Sequence, residues 1–178
     1  MLLETARLLI RDLEPGDVDA LVDLWTDPEV TRFMGGLRDR EKLLAGFAED
    51  LAAAARNTQP IYDLRPVVSS ATDALVGHCG LLDKEIDGRD EVEQVYVIAR
   101  DAWGQGYATE AAIALRDFAF DPAGPLGLDR LVALVEPGNI PSVRVAEKTG
   151  MVFERGVVRP GGRAMRLYAV ERRQPAPP

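Results

Sequence analysis

The sequence predicts one domain of the mixed α/β (α+β) class, with a central, mostly antiparallel sheet flanked by about four helices. Three observations carry this expectation. The front third places one strand before two amphipathic helices, the middle changes to β-rich runs broken by turn residues, and the last part returns to strand-loop-helix and strand-helix-hairpin order. A chain of 178 residues can bury one real core, and no block of altered composition marks a second. Residues 1–172 are therefore expected to form a single domain, and 173–178, the end of RRQPAPP, a disordered tail.

In RLLIRDL, Leu8 and Ile10 alternate with Arg7 and Arg11 around Leu9, the pattern of a half-buried strand, and PGD stops it. Asp17 reads as an N-cap, and Val18, Leu21, Val22 and Trp25 fall at i, i+3, i+4 and i+7, so residues 17–26 read as a helix closed by Asp27-Pro28. Past a loop with Gly35-Gly36, the apolar positions Leu44, Phe47, Ala48, Leu51 and Ala55 give a second helix. IYDL, DALVGHCGLLD and EVEQVYVIA read as an antiparallel meander, divided by Pro66, Ser69-Ser70 and Asp87-Gly88. Ala108, Ala111, Ala112, Leu115, Phe118 and Ala119 then mark one face of a helix that ends before Pro122. RLVALVE suits a strand covered on both faces, and NIPSVRVAEKTG a short helix with Pro141 in its first turn and Gly150 at its stop. A hairpin about Pro160-Gly161-Gly162 completes the fold.

Composition narrows the function. With 47% apolar and 28% charged residues the chain should fold alone. A net charge of -8 argues against a nucleic-acid partner, because the field repels a polyanion. The lone Cys79 allows no internal disulfide, the start MLLETARLLIRDL is unlike a signal peptide, and no apolar run approaches the roughly 18 residues of a membrane span. The cytoplasm is the expected compartment, with no membrane partner.

The segment 103–111, WGQGYATEA, follows the strand VYVIA and opens a helix. A loop entering a helix N-terminus presents unpaired N–H groups to which the helix dipole draws negative charge. Glycine at 104 and 106 clears Cβ atoms from the approach and permits positive φ. A plain tight turn is the bland alternative. The P-loop pattern fails, since the sole Lys-Thr is Lys148-Thr149. The dinucleotide fingerprint fits Gly104 and Gly106, with Glu136 ending the next strand, but has Thr109 at its third glycine and too few residues afterwards for a doubly wound sheet.

With its surroundings, the loop resembles the GCN5-related N-acetyltransferase (GNAT) superfamily, specifically the branch of the RimJ and RimL ribosomal-protein N-acetyltransferases. ETARLLIRDL and LWTDPEVTRFM resemble that branch's opening strand, first helix and following loop. AWGQGYATEA resembles its acetyl-CoA loop, and EPGNIPSVRVAEKTGM the strand end and helix that complete the site. The resemblance implies a sheet splayed between the strands at 92–98 and 130–136. The pyrophosphate motif Q/R-x-x-G-x-G/A maps onto Trp103, Gly104, Gln105, Gly106, Tyr107 and Ala108, with Trp103 in place of the usual Gln or Arg, and Thr109 continues the helix opening. It further implies that backbone groups near Val97 and Ile98 pair with the pantetheine arm of acetyl-CoA, the co-substrate, and that Asn139 and Ser142 face that arm. No metal is implied.

For catalysis, Glu93 aligns with a glutamate that would receive the amine proton, directly or through water; an exposed strand carboxylate beside Glu91 is the competing reading. His78 titrates near neutrality and is a second candidate base, against a structural role in its strand. Cys79 reads as core. The tyrosine that many superfamily members carry in the last helix is Ala146 here, which leaves Ser142 as the candidate proton donor. The activity implied is direct acetyl transfer to a primary amine, a protein N-terminus or a small molecule, with a longer acyl donor or a non-catalytic acyl-CoA-binding module as alternatives. Homodimer formation is compatible with this reading.

Overall fold

The structure is a computed structural model that describes residues 2–56 and 58–172; the tail expected at 173–178 lies outside the described residues. Eight strands form one sheet: β1 (Leu3–Glu4), β2 (Leu8–Ile10), β3 (Leu64–Ser69), β4 (Leu75–Ile86), β5 (Arg89–Ile98), β6 (Arg130–Val135), β7 (Val152–Arg159) and β8 (Arg163–Glu171). Their order is β1-β2-β3-β4-β5-β6-β8-β7. Every neighbouring pair is antiparallel except β5 and β6. Five α-helices accompany the sheet: α1 (Val18–Thr26), α2 (Pro28–Thr31), α3 (Arg40–Ala55), α4 (Tyr107–Phe120) and α5 (Ile140–Lys148).

Helices sit on both faces because alternate strand residues are apolar on both. On one face Leu8, Ile10, Val67, Cys79, Leu81 and Leu131 pack with Ala111 and Leu115 of α4 and Ala146 of α5. On the other, Leu21, Val22 and Trp25 of α1 and Phe47 of α3 pack with Val97. Burying each of the leucine, isoleucine, valine and phenylalanine side chains stabilises by about 1.5–3 kcal/mol. Asp87 and Gly88, both left-handed at φ 52 and 75, make the two-residue turn that zips β4 to β5 over ten register pairs.

Several sequence expectations needed correction. The count of about four helices omits α2: Asp27 accepts from the Glu29 N–H (2.8 Å) and Val30 N–H (3.4 Å) with Pro28 in the first turn, so a stop signal is also a start. Asp17 stands at the N-cap position of α1, but its side chain makes no capping bond there. It ends a 3-10 turn, Pro15–Asp17, and its carboxylate binds the Glu14 N–H at 2.8 Å and Arg11 at 2.7 and 2.9 Å. The strand expected at IYDL lies further along, at β3, with Pro66 inside it opposite His78. Strand β1 was not anticipated, and Leu44, placed on the buried face of α3, is exposed.

His78 belongs to the core. Its Nδ1 accepts from the Trp25 indole N–H at 3.1 Å, and the Trp25 and Phe47 rings stand edge-on to it at 6.2 Å. Burial first, then the positive charge of Arg65, lowers its pKa from 6.5 to about 4, so the ring is neutral at physiological pH. A folded-state pKa below the unfolded one gives stability that is present above pH 6.5 and lost as pH falls towards 4. The difference corresponds to roughly 3 kcal/mol. Urea unfolding between pH 7 and pH 4 should show a flatter acid limb for His78→Leu than for wild type, whatever the offset between them; parallel limbs would contradict a neutral buried imidazole.

Candidate functional site

The site begins where two strands part. The parallel strands β5 and β6 share one register pair, Glu93 with Val132, and β5 continues five residues further to Ile98. At ~3.3 Å per residue this leaves roughly 16 Å of β5 beyond its pairing with β6, up to the point where the chain turns towards α4. The Ala99 N–H donates to the Val76 carbonyl at 2.9 Å. By ladder alternation the polar backbone of Val97 therefore turns to His78 in β4, and that of Ile98 turns into the gap. The Ile98 carbonyl already accepts from the Trp103 indole N–H at 2.7 Å, which leaves the Ile98 N–H directed at the gap.

The loop that follows makes one 3-10 turn, Arg100–Ala102, then passes through Trp103, Gly104, Gln105 and Gly106 into α4. Gly104 (φ 75) and Gly106 (φ 84) are both left-handed, a conformation costing other residues about 1–2 kcal/mol. A Cβ at Gly104 would meet nothing within 4 Å, so the space above it is open. The first intrahelical bond runs from the Glu110 N–H to the Gly106 carbonyl (3.1 Å), and no side chain caps the helix. The N–H groups of Tyr107, Ala108 and Thr109 thus lie at an uncapped, electropositive helix end. Arg7 lies beside them: its Nη1 donates to the Gln105 carbonyl at 2.9 Å.

The opposite wall is the start of α5. Asn139 is its N-cap, with Oδ1 accepting from the Ser142 N–H at 3.3 Å, and Pro141 occupies the first turn. The Ser142 carbonyl accepts from the Tyr96 hydroxyl at 3.0 Å, so a phenol on β5 reaches across to α5. Burial pushes the Tyr96 pKa up, which keeps the hydroxyl protonated and a donor. Sequence reasoning missed Tyr96; strand alternation put it on the α4 side, but nothing local indicated a partner 46 residues away.

Two carboxylates on one face of β5 differ in their surroundings. Glu91 is paired with Arg130 at 3.0 Å, and Arg130 also holds Glu154 (2.7 Å) and Glu171 (2.6 Å). Glu93 makes no ion pair among the described residues. Burial raises its pKa, opposed by the charges of Lys84 and Arg159 and by a hydrogen bond from the Leu134 backbone. The competing reading of Glu93 as an exposed carboxylate is therefore excluded, since it is 7% exposed. The next residue, Gln94, donates from Nε2 to the Ala112 carbonyl at 2.7 Å and ties β5 to α4. Glu93 stands at the β5–β6 register pair, Ile98 ends β5, the 103–109 loop leads from it into α4, and Asn139 and Ser142 open α5, while the backbone of Val97 is engaged in β4. No cluster of metal-ligating side chains occurs among the described residues.

The sheet opens at one parallel pair beside a glycine-led helix with no side-chain cap, and likeness to known proteins gives its class. The family model for the acetyltransferase (GNAT) domain matches residues 7–152, and the chain belongs to that family. It is similar to the uncharacterized N-acetyltransferase p20 of Bacillus licheniformis, at 35% identity over 153 residues, 80% of this chain and 78% of the relative. A GNAT-family acetyltransferase structure from Bacillus anthracis superposes with TM-score 0.76 and 27% identity, covering 97% of this chain and 99% of that one. Spermidine N-acetyltransferase from Vibrio cholerae, solved with CoA and spermine, has the same fold at TM-score 0.73 and 19% identity, covering 94% and 97%. The chain is an N-acetyltransferase of this family, and no helix among the described residues is long and apolar enough to cross a membrane.

The raised Glu93 pKa has a stability consequence. A carboxyl whose folded pKa exceeds its unfolded value stabilises the fold below the unfolded value, near 4.5, and loses that contribution as pH rises through the folded value. At pH 7 the buried charge is a burden that glutamine lacks. Glu93→Gln should resist urea better than wild type at pH 7, and the advantage should vanish at pH 4; an unchanged or lower midpoint at pH 7 would show that Glu93 is not held against its desolvation.

Proposed function

We propose that residues 1–172 act as one catalytic domain that transfers acetyl from acetyl-CoA directly to a primary amine, in the manner of the RimJ and RimL branch, with a protein N-terminus as the acceptor. The observation that carries this reading is the cleft between β5 and β6, which opens at Glu93 and ends at the glycine-led start of α4. The cleft fits the co-substrate: open space over Gly104 and uncapped N–H groups suit a pyrophosphate, and the free Ile98 N–H suits an extended amide-bearing arm.

Acetyl-CoA supplies the activated acyl group as a thioester. The loop from Trp103 to Thr109 binds its diphosphate through backbone N–H groups, so the indole at 103 is free to brace Ile98 instead. Asn139 fixes the start of α5, and the hydroxyl of Ser142 there would give its proton to the leaving sulfur. Glu93 takes the amine proton, directly or through water. An α-amino group with a pKa of about 7.7–8.0 is partly neutral at cellular pH, so a weak base suffices, whereas a lysine needs a stronger one. The net charge of -8 favours a cationic acceptor.

A small amine is the second acceptor class, favoured by the shared fold with spermidine N-acetyltransferase. The alternative of a binding module without turnover rests on Ala146, which offers no phenol at the position where many superfamily members carry one. Calorimetry with acetyl-CoA and a free-thiol assay with peptide, polyamine and aminoglycoside acceptors separate these outcomes. Gly106→Val should raise the acetyl-CoA Kd at least about tenfold, through a strained left-handed residue worth about 1–2 kcal/mol and a Cβ 3.5 Å from Arg7 Nη2, while the protein stays folded. No binding to wild type would overturn the reading. Turnover should fall on acidification with an apparent pKa above the usual carboxylate range, and Glu93→Gln should lack that limb; a limb that survives in the variant removes Glu93 as the base.

A further inference from the structure

We infer that Arg7, on the turn between β1 and β2, is a positioning residue that clamps the 104–107 loop in its acetyl-CoA-binding shape. The inference rests on that loop being the diphosphate cradle.

Arg7 contacts the loop and the helix it opens at three points. Nη1 binds the Gln105 carbonyl at 2.9 Å, between the two left-handed glycines. Nε and Nη2 hold Glu110 Oε2 at 2.7 and 2.6 Å. The guanidinium carbon lies 4.7 Å from the centre of the Tyr107 ring. Glu110, in the first turn of α4, also accepts on Oε1 from the Thr5 hydroxyl (2.6 Å) and the Arg7 backbone N–H (2.9 Å). The turn between β1 and β2 is thereby fastened to the start of α4 by donors from two residues.

A loop with two glycines has many accessible conformations, and only a few aim the α4 N–H groups at one point. The bond to the Gln105 carbonyl removes the rotation of the peptide between the glycines, and the fork on Glu110 fixes where that bond is made. Arg7 also neutralises Glu110, a carboxylate one turn from where the anion would sit. Loss of Arg7 would loosen the loop and unmask that charge, and a variant pair separates these effects.

Arg7→Gln should raise the KM for acetyl-CoA about tenfold with kcat within about twofold of wild type, because the lost contact orders the loop rather than the reacting atoms. Arg7→Lys should not restore it, since an ammonium cannot make the planar fork. The double variant Arg7→Gln with Glu110→Gln should stay weak; recovery of wild-type KM there would reduce Arg7 to charge compensation and overturn the clamp, as would an unchanged KM in Arg7→Gln. Amide hydrogen exchange of Gln105–Thr109 without ligand should be faster in Arg7→Gln at equal thermal stability. If wild type binds no acetyl-CoA, the functional reading fails, and this exchange rate alone decides whether Arg7 is a clamp: unchanged protection would refute it.

Discussion

The site depends on the pairing of two parallel strands at one place only. Parallel neighbours cannot be joined by a tight turn, so the chain leaves β5, runs back through α4 and returns in β6. That crossover puts the end of β5, the glycine loop and the positive end of α4 at one edge of the sheet. Had the ladder continued past Glu93 and Val132, the strands would have satisfied one another and left no cleft. Parting them exposes backbone groups that water or a ligand must satisfy. Side chains take two of these, the Glu93 carboxyl for the Leu134 N–H and the Trp103 indole for the Ile98 carbonyl, and the Tyr96 phenol ties β5 to the Ser142 carbonyl of α5.

This arrangement explains why a tryptophan can stand at the first position of the loop. A side chain that bound the diphosphate itself would need to be a donor there. The indole instead bonds the strand end and Arg7 bonds the Gln105 carbonyl from the other side, which under the proposed function leaves the anion to the backbone. It also explains the divergent fates of Glu91 and Glu93. They share a face of β5 two residues apart, but Arg130 at the start of β6 reaches the first, while the second lies at the fork, where the low local dielectric and distant cations leave it harder to ionise.

Much of the fold was legible because its signals are local. The 3.6-residue spacing of α1, the Asp87-Gly88 turn, the glycines before α4 and the Asn139 start of α5 each act within a few residues, and each lies where the periodicity put it. What escaped depends on distant partners. Asp17 looks like a cap from its neighbours, but Arg11 and the Glu14 N–H compete for its carboxylate. Pro66 looks like a breaker, but it has a place within β3, opposite His78. His78 looks titratable until Trp25, 53 residues earlier, and Phe47 close around it. The cleft itself was readable only by resemblance: RLVALVE announces a buried strand and says nothing about where its neighbour leaves it.

The two-residue turn at Asp87-Gly88 bears on the order of assembly. It closes ten register pairs of β4 and β5 over a minimal loop, so little chain entropy opposes that hairpin. The Glu93–Val132 contact joins residues 39 apart in sequence, with α4 between them. One strand therefore belongs both to the pairing closed by this two-residue turn and to a pairing that spans 39 residues. During folding β5 is expected to rest on β4 first and to serve as a template on which β6 docks, so the cleft has no existence of its own until the two halves of the chain meet.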